Sequence, residues 1–226
     1  MRRHARRTAV LLLAGFTACA SQRGTTRAAA PAEGAPGAGP LDVARAFYGA
    51  LHRGDPAAAA RLVASPNASA ATGALVTLAR SYQALEAVIG ERFGARAAQA
   101  VGYSDRVASE DAALVGATAD VQGDRAVVRS GGETLAILAR GGGAWRIELE
   151  EALATERGLA ALVLEAESSR EAVARVSPAV RGGLFEAPED ALEAFKNDVA
   201  LRMQGARPDL PRAPGEAPAG PGGIPL

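Results

Sequence analysis

The chain has 226 residues with 25 basic and 25 acidic side chains, a length that suits one folded domain with flanking segments. A formal charge of zero leaves no basic footprint of the kind nucleic acid requires, so a nucleic-acid partner is excluded. Every basic residue except Lys196 is an arginine, which with the abundant Ala and Gly reads as a GC-rich composition and not as a functional signal.

The first eighteen residues form an export signal: Arg2, Arg3, His4, Arg6 and Arg7 lead into an apolar run from Thr8 to Cys19. A bilayer-spanning helix needs roughly 20 apolar residues, and this run is shorter. Small residues, Thr17 and Ala18, stand before Cys19, the chain's single cysteine, which has no disulfide partner. The stretch "GFTAC" resembles the bacterial lipoprotein box. That resemblance implies a diacylglycerol on the Cys19 sulfur, cleavage after Ala18 and acylation of the new amino terminus. The family usually has Leu, Val or Ile where Phe16 stands, so ordinary cleavage or an uncleaved anchor are the alternatives. Multiple acyl chains give the stable membrane attachment that one chain does not. The protein is therefore expected in a bacterial cell envelope, lipid-anchored at Cys19, with its domain facing the periplasm or exterior. Losing Arg2, Arg3, Arg6 and Arg7 with the signal leaves the mature chain with four more acids than bases.

Residues 19–40 carry few large apolar groups and are expected to be a flexible tether with a reach of roughly 25 Å. The folded part is expected at 41–204 and a disordered Pro/Gly-rich tail at 205–226. "LDVARAFYGALHRGDPAAAARLVA" places Val43, Phe47, Tyr48 and Leu51 on one helical face and breaks at Gly54. It restarts with Asp55 as N-cap and Pro56 in the first turn. Leu75, Leu78, Tyr82, Leu85, Ile89 and Phe93 then recur at helical spacing. From Leu114 to Leu149 the period becomes two. "ALVGATADV", "RAVVRS", "ETLAILA" and "AWRIELE" read as strands of an antiparallel meander joined by glycine turns. Trp145, Ile147 and Leu149 share one face of the last strand, so one sheet face is covered and the other is wet. Two amphipathic helices follow, carrying Leu159 to Val176 and Leu192 to Met203, and the sheet is their expected docking surface. The fold class is α+β: N-terminal helices, a curved antiparallel sheet of about four strands, and C-terminal helices packed on the sheet.

"DVARAFYGALHRGDPAAAARLV", "ADVQGDRAVVRS" and "GGGAWRIEL" together resemble the nuclear transport factor 2-like (SnoaL-like, cystatin-like) superfamily over residues 41–150. The resemblance implies a curved sheet wrapped around helices into a cone with an internal cavity, and residues 151–204 would be a helical extension able to plug it. Some members are isomerases or cyclases in which a cavity Asp or His moves a proton.

Such chemistry needs an ionisable group with a shifted pKa in an apolar pocket. The mature chain's one histidine, His52, reads as a solvated helix-end residue. Asp124 fits a hairpin turn, and Asp105, Glu110, Asp111 and Asp120 read as loop or N-cap residues, so no catalytic residue is assigned. Tyr82 and Trp145 read as core, although Tyr82, Tyr103 and Trp145 could each face a ligand. "GGGAW" precedes a strand and lacks the Lys and Ser/Thr of a phosphate loop. No metal site is expected, since there is no histidine pair and no calcium-loop spacing, and no cofactor is expected. "NAS" at Asn67 matches a glycosylation acceptor that means little in a bacterium, and nucleophile-elbow motifs are absent. The leading expectation is a non-catalytic envelope lipoprotein that binds a protein partner or serves a structural role. The alternatives are a small apolar-ligand binder using a cone-shaped cavity and a cavity enzyme of the isomerase or dehydratase type. Replacing Cys19 with Ser is expected to move the protein from the membrane fraction to the soluble fraction, measured by fractionation and immunoblot; a variant still in the membrane fraction contradicts lipidation.

Overall fold

A helix opens the structure at Pro40, where proline's missing N–H costs nothing and the Asp42 carboxylate accepts from Gly39 N–H at 3.3 Å. The computed structural model describes residues 38–149 and 155–205. The expected export signal, Cys19, most of the expected tether at 19–40 and all but Gly205 of the expected tail lie outside the described residues.

Helix α1 (Pro40–His52) buries Val43, Ala44, Phe47 and Ala50. The chain turns through Gly54, whose φ of +71° a side chain would resist, and α2 (Pro56–Arg61) begins with Asp55 accepting from Ala58 N–H at 2.9 Å. Arg80 packs against Gly54 and donates to its carbonyl at 2.8 Å. Next come α3 (Ala68–Phe93), the single turn α4 (Ala95–Ala98) and α5 (Tyr103–Val115). The sheet consists of β1 (Thr118–Gln122), β2 (Arg125–Ser130), β3 (Glu133–Gly141) and β4 (Ala144–Ile147), and α6 (Glu156–Arg181) and α7 (Pro188–Met203) close the chain.

The sheet is an antiparallel meander in the order β1-β2-β3-β4, as the alternating pattern predicts. Each hairpin has a two-residue loop, and in two of them both loop residues are glycines with positive φ, Gly131–Gly132 and Gly142–Gly143. Ala126, Val128, Ala136, Leu138, Trp145 and Ile147 form the covered face and pack with Val43, Phe47, Leu62 and Val63 from the first helices. Residues 62–64 also close the β4 edge: Ile147 N–H donates to Leu62 C=O at 2.7 Å, and Ala64 N–H to Ile147 C=O at 2.8 Å. The opposite edge, β1, pairs only with β2 among the described residues.

Two sequence expectations are corrected here. The segment around "ALVGATADV" is not one strand, because Ala113, Leu114 and Val115 finish α5 and β1 starts only at Thr118. Tyr103 and Leu114 stand eleven residues apart, three helical turns, and are the buried side chains of α5. With so few apolar positions between them, the 3.6-residue period is faint in the sequence. The C-terminal helices, in turn, do not use the sheet as their main surface. The apolar face of α6 meets α3, and α7 packs against α6 and α3.

That second core contains Leu85, Val88 and Ile89 of α3, Val173, Val176 and Val180 of α6, and Phe195 of α7, with Phe185 from the connection. Nearer the sheet, Ala74 and Leu78 meet Leu162 and Ala166. Contacts advance together along both helices, from Leu78 with Ala166 to Glu91 with Arg181 (2.9 Å), so α3 and α6 run parallel. Each has 26 residues, about 39 Å of helix. The α7 hairpin returns antiparallel, with Arg175 Nε 3.4 Å from the buried Asp198 carboxylate and Arg202 bonded to both Asp198 and Glu171.

Leu85 is fully buried and Trp145 is 8% exposed. Truncation to alanine is expected to cost about 2–5 kcal/mol at Leu85 and about 3–5 kcal/mol at Trp145, measured by chemical denaturation. An unchanged midpoint for both variants contradicts this core.

Candidate functional site

Helix α5 brings together most of the chemistry-bearing residues, and polar groups from α1 and α3 hold it in place. At its first turn the buried Glu86 of α3 accepts from Ser104 N–H at 3.1 and 3.3 Å and from the Ser104 hydroxyl at 2.6 Å. A carboxylate in that position also meets the positive end of the helix dipole. At the last turn Arg45 of α1 donates to the Leu114 carbonyl at 3.2 and 3.1 Å through two guanidinium nitrogens.

His52 of α1 lies between these two contacts. Its Nε2 is 2.8 Å from Glu110 Oε2, its Nδ1 is 3.1 Å from Asp111 Oδ1, and its side chain retains 15% exposure. Behind it, Arg106 places Nε 3.9 Å from the other Glu110 oxygen and stacks on the Tyr103 ring at 5.3 Å. His52 is therefore not the solvated helix-end residue expected from the sequence. Burial alone would pull its pKa down. The hydrogen bond and charge of Glu110, with the charge and hydrogen bond of Asp111, outweigh that effect and raise it above 6.5.

The other predicted residues are dispersed. Asp105, Glu110 and Asp111 are all helical, so their reading as loop or N-cap residues is corrected: Glu110 and Asp111 face His52, and Asp105 is exposed in the first turn of α5. Asp120, also read as a loop or N-cap residue, lies instead within strand β1, exposed and accepting from Gln122, and Asp124 occupies the first hairpin turn as expected. Tyr82 meets the Phe195 ring edge-on at 5.5 Å, and burial, with the Glu165 charge, pushes its hydroxyl pKa up. Tyr103 is buried, and burial raises its hydroxyl pKa as well. Asn67 is the residue before α3, and Cys19 lies outside the described residues.

Glu86, Arg45 and Arg106 are absent from the sequence reading. Glu86 left a signal: it stands four residues after Tyr82 and three before Ile89, a carboxylate inside an apolar helical stripe. Arg45 left none, because its target is a carbonyl sixty-nine residues away in the chain, whereas Arg106 stands three residues after Tyr103 and four before Glu110, the spacing of neighbours on one helix face.

Two shallow clefts open on the surface of the described residues. One, of about 440 Å³, lies between residues 60–68 and β4 and is lined by Arg61, Leu62, Val63, Ser65, Trp145 and Arg146. The other, of about 500 Å³, lies among α3, α4 and α5 and includes Gln83, Glu86, Gln99, Ser104 and Asp105. Among the described residues no group of three His, Cys, Asp or Glu side chains converges as a metal site, and no helix is long and apolar enough to cross a membrane. The two carboxylates contact opposite nitrogens of His52, so the cluster surrounds an imidazole instead of leaving a vacant centre. Both ring nitrogens are engaged by carboxylates. The chain matches no protein-family model, no curated protein and no solved structure.

A raised folded-state pKa means that the stabilisation from His52 is fully present below its unfolded value of about 6.5 and is lost as pH rises through the folded value. Melting curves of the parent and of His52→Asn are expected to differ most near pH 5.5, where the carboxylates remain largely ionised, and to converge towards about pH 9. A gap that is constant or widens with pH contradicts the assignment.

Proposed function

We propose that this is a non-catalytic envelope lipoprotein, attached to a membrane through Cys19, whose α+β domain binds a protein partner or holds one at a set distance from the membrane. The observation that carries the reading is the filling of the sheet's covered face. Val43 and Phe47 of α1, with Leu62 and Val63, pack directly on Val128, Leu138, Trp145 and Ile147. The space in which a cone-shaped relative would hold a ligand is taken by the protein's own side chains. Engagement of both His52 nitrogens by carboxylates of this chain adds to this, since a proton-shuttling imidazole directs one of its nitrogens at the substrate or nucleophile. The resemblance to the nuclear transport factor 2-like superfamily belongs to the same proposal. The order of early helices followed by an antiparallel meander supports it.

The structural side of the role draws support from the paired α3 and α6, which give the domain a strut of about 39 Å rooted at Ala68 in the sheet core. The binding side draws support from the β1 edge, unpaired on its outer side among the described residues, where Val121 is 50% exposed, and from Val115 just before it at the end of α5, which is 80% exposed. An edge strand recognises an extended segment through backbone hydrogen bonds.

A second reading, small-ligand binding, is favoured by the cleft where Trp145 lies beside Arg61 and Arg146; it would suit a planar apolar molecule bearing an acid group. One experiment on the full chain in its native membrane separates the two. Photocrosslinkers at Val115 and Val121 are expected to yield a protein adduct of discrete mass that is lost when Val121 is replaced by Asp. No protein adduct, together with quenching of Trp145 fluorescence by a small aromatic acid, supports the second reading. Absence of both overturns both.

A further inference from the structure

We propose that α5 is a proton-operated clasp: the doubly protonated His52 ring pins the helix to α1, and loss of one proton frees α5 while the α3–α6–α7 core stays folded. The clasp does not depend on where the protein resides or on what it binds.

The argument begins with donors and acceptors. An ionised carboxylate only accepts hydrogen bonds, and His52 meets one carboxylate at each nitrogen, at 2.8 and 3.1 Å. Satisfying both requires two N–H donors, which only the imidazolium has. A neutral ring has one N–H, so one carboxylate then faces a lone pair and the contact turns repulsive. Glu110 and Asp111 thus convert the proton count of one ring into the attachment of a helix.

The helix has little else to hold it. Over thirteen residues α5 buries only Tyr103 and Leu114, near its two ends, and the turns between them present half-exposed or exposed side chains. The Ser104 and Leu114 contacts fasten the ends, and His52 fastens the middle. On its own helix His52 has the Tyr48 ring 6.2 Å away and Arg53 next in sequence. From α5 it faces Glu110 and Asp111, with Arg106 behind Glu110. Among the described residues, the charges that act on His52 come from α5 alone, so no group on the sheet, α2 or α3 replaces the lost interaction. The contacts with Glu110 and Asp111 outweigh burial and raise the pKa, so the change falls above the ordinary imidazole value of about 6.5. Loosening α5 also draws Leu114 out of the sheet core.

The test is amide hydrogen exchange on the full chain, with observed rates divided by intrinsic rates so that the pH dependence of exchange chemistry cancels. From about pH 6 to about pH 8.5, protection across residues 106–115 is expected to fall about tenfold or more, while the α3 and α6 amides change less than about twofold. His52→Gln is expected to show the low protection at both pH values. The paired change Glu110→Gln with Asp111→Asn removes the charges that bind the imidazolium and is expected to abolish the pH dependence without touching His52, so the proposal stays testable if one variant fails to fold. Equal protection of α5 in the parent at both pH values overturns the clasp. So does an undiminished pH-dependent fall in His52→Gln, or a His52 pKa at or below 6.5 by NMR titration of the ring.

Discussion

The parallel pairing of α3 with α6 sets the plan of the whole molecule. Two helices about 39 Å long cannot lie side by side in the same direction unless the chain first travels back to where the first one began. Here that return is made by α4, α5 and the sheet. Ser104 sits beside Glu86, most of the way along α3, whereas Leu114 has reached Arg45 and the sheet core. α5 therefore runs antiparallel to α3 as an outer strap, and the meander lies where α6 must start. An outer strap has water on most of its surface, which explains why α5 is polar and why polar contacts hold it.

The α3–α6 contact depends on small side chains. Ala74 and Ser81 on one helix, and Ala166, Ser169 and Ala172 on the other, are buried, so the two backbones approach closely. Ser81 returns its hydroxyl to the Thr77 carbonyl at 2.9 Å and so takes part in an apolar interface without leaving its donor unmet. Beside this interface α7 buries a carboxylate. Burial raises the Asp198 pKa and Arg175 opposes that rise, while Arg202 bonds the same group and reaches across to Glu171. A buried charge of this kind is costly without partners, and the arginines on both helices lock the α6–α7 hairpin in one register.

The concentration of charge on α5 has two sources that look alike in sequence. Asp105 is a solvated acid in the helix's first turn. Glu110 and Asp111 are ligands of a histidine, and the half-exposed Arg106 lies against Tyr103 and Glu110. What separates them is position around one helix relative to α1, about sixty residues earlier in the chain. The same geometry ties one ring to two consecutive acids of α5, so His52 links α1 to that helix.

Sequence alone determined what neighbouring residues settle among themselves. Asp55 and Pro56 start a helix, glycines at positive φ close two-residue hairpins, and alternation from Arg125 to Ile147 gives each strand a covered face, because capping, steric limits and pleating act over a few bonds. Tertiary structure decided which surface each apolar face met. The stripes of α6 and α7 predict burial but not a partner, and they chose α3 over the sheet because a long helical stripe of small and branched side chains matches their own. It also decided that residues 103–115 are helical, since Tyr103 and Leu114 gain their burial from distant elements. Finally, it set the state of His52. The charge of an ionisable ring is governed by the groups within a few ångströms of it, and those groups are fifty-eight and fifty-nine residues away in the chain.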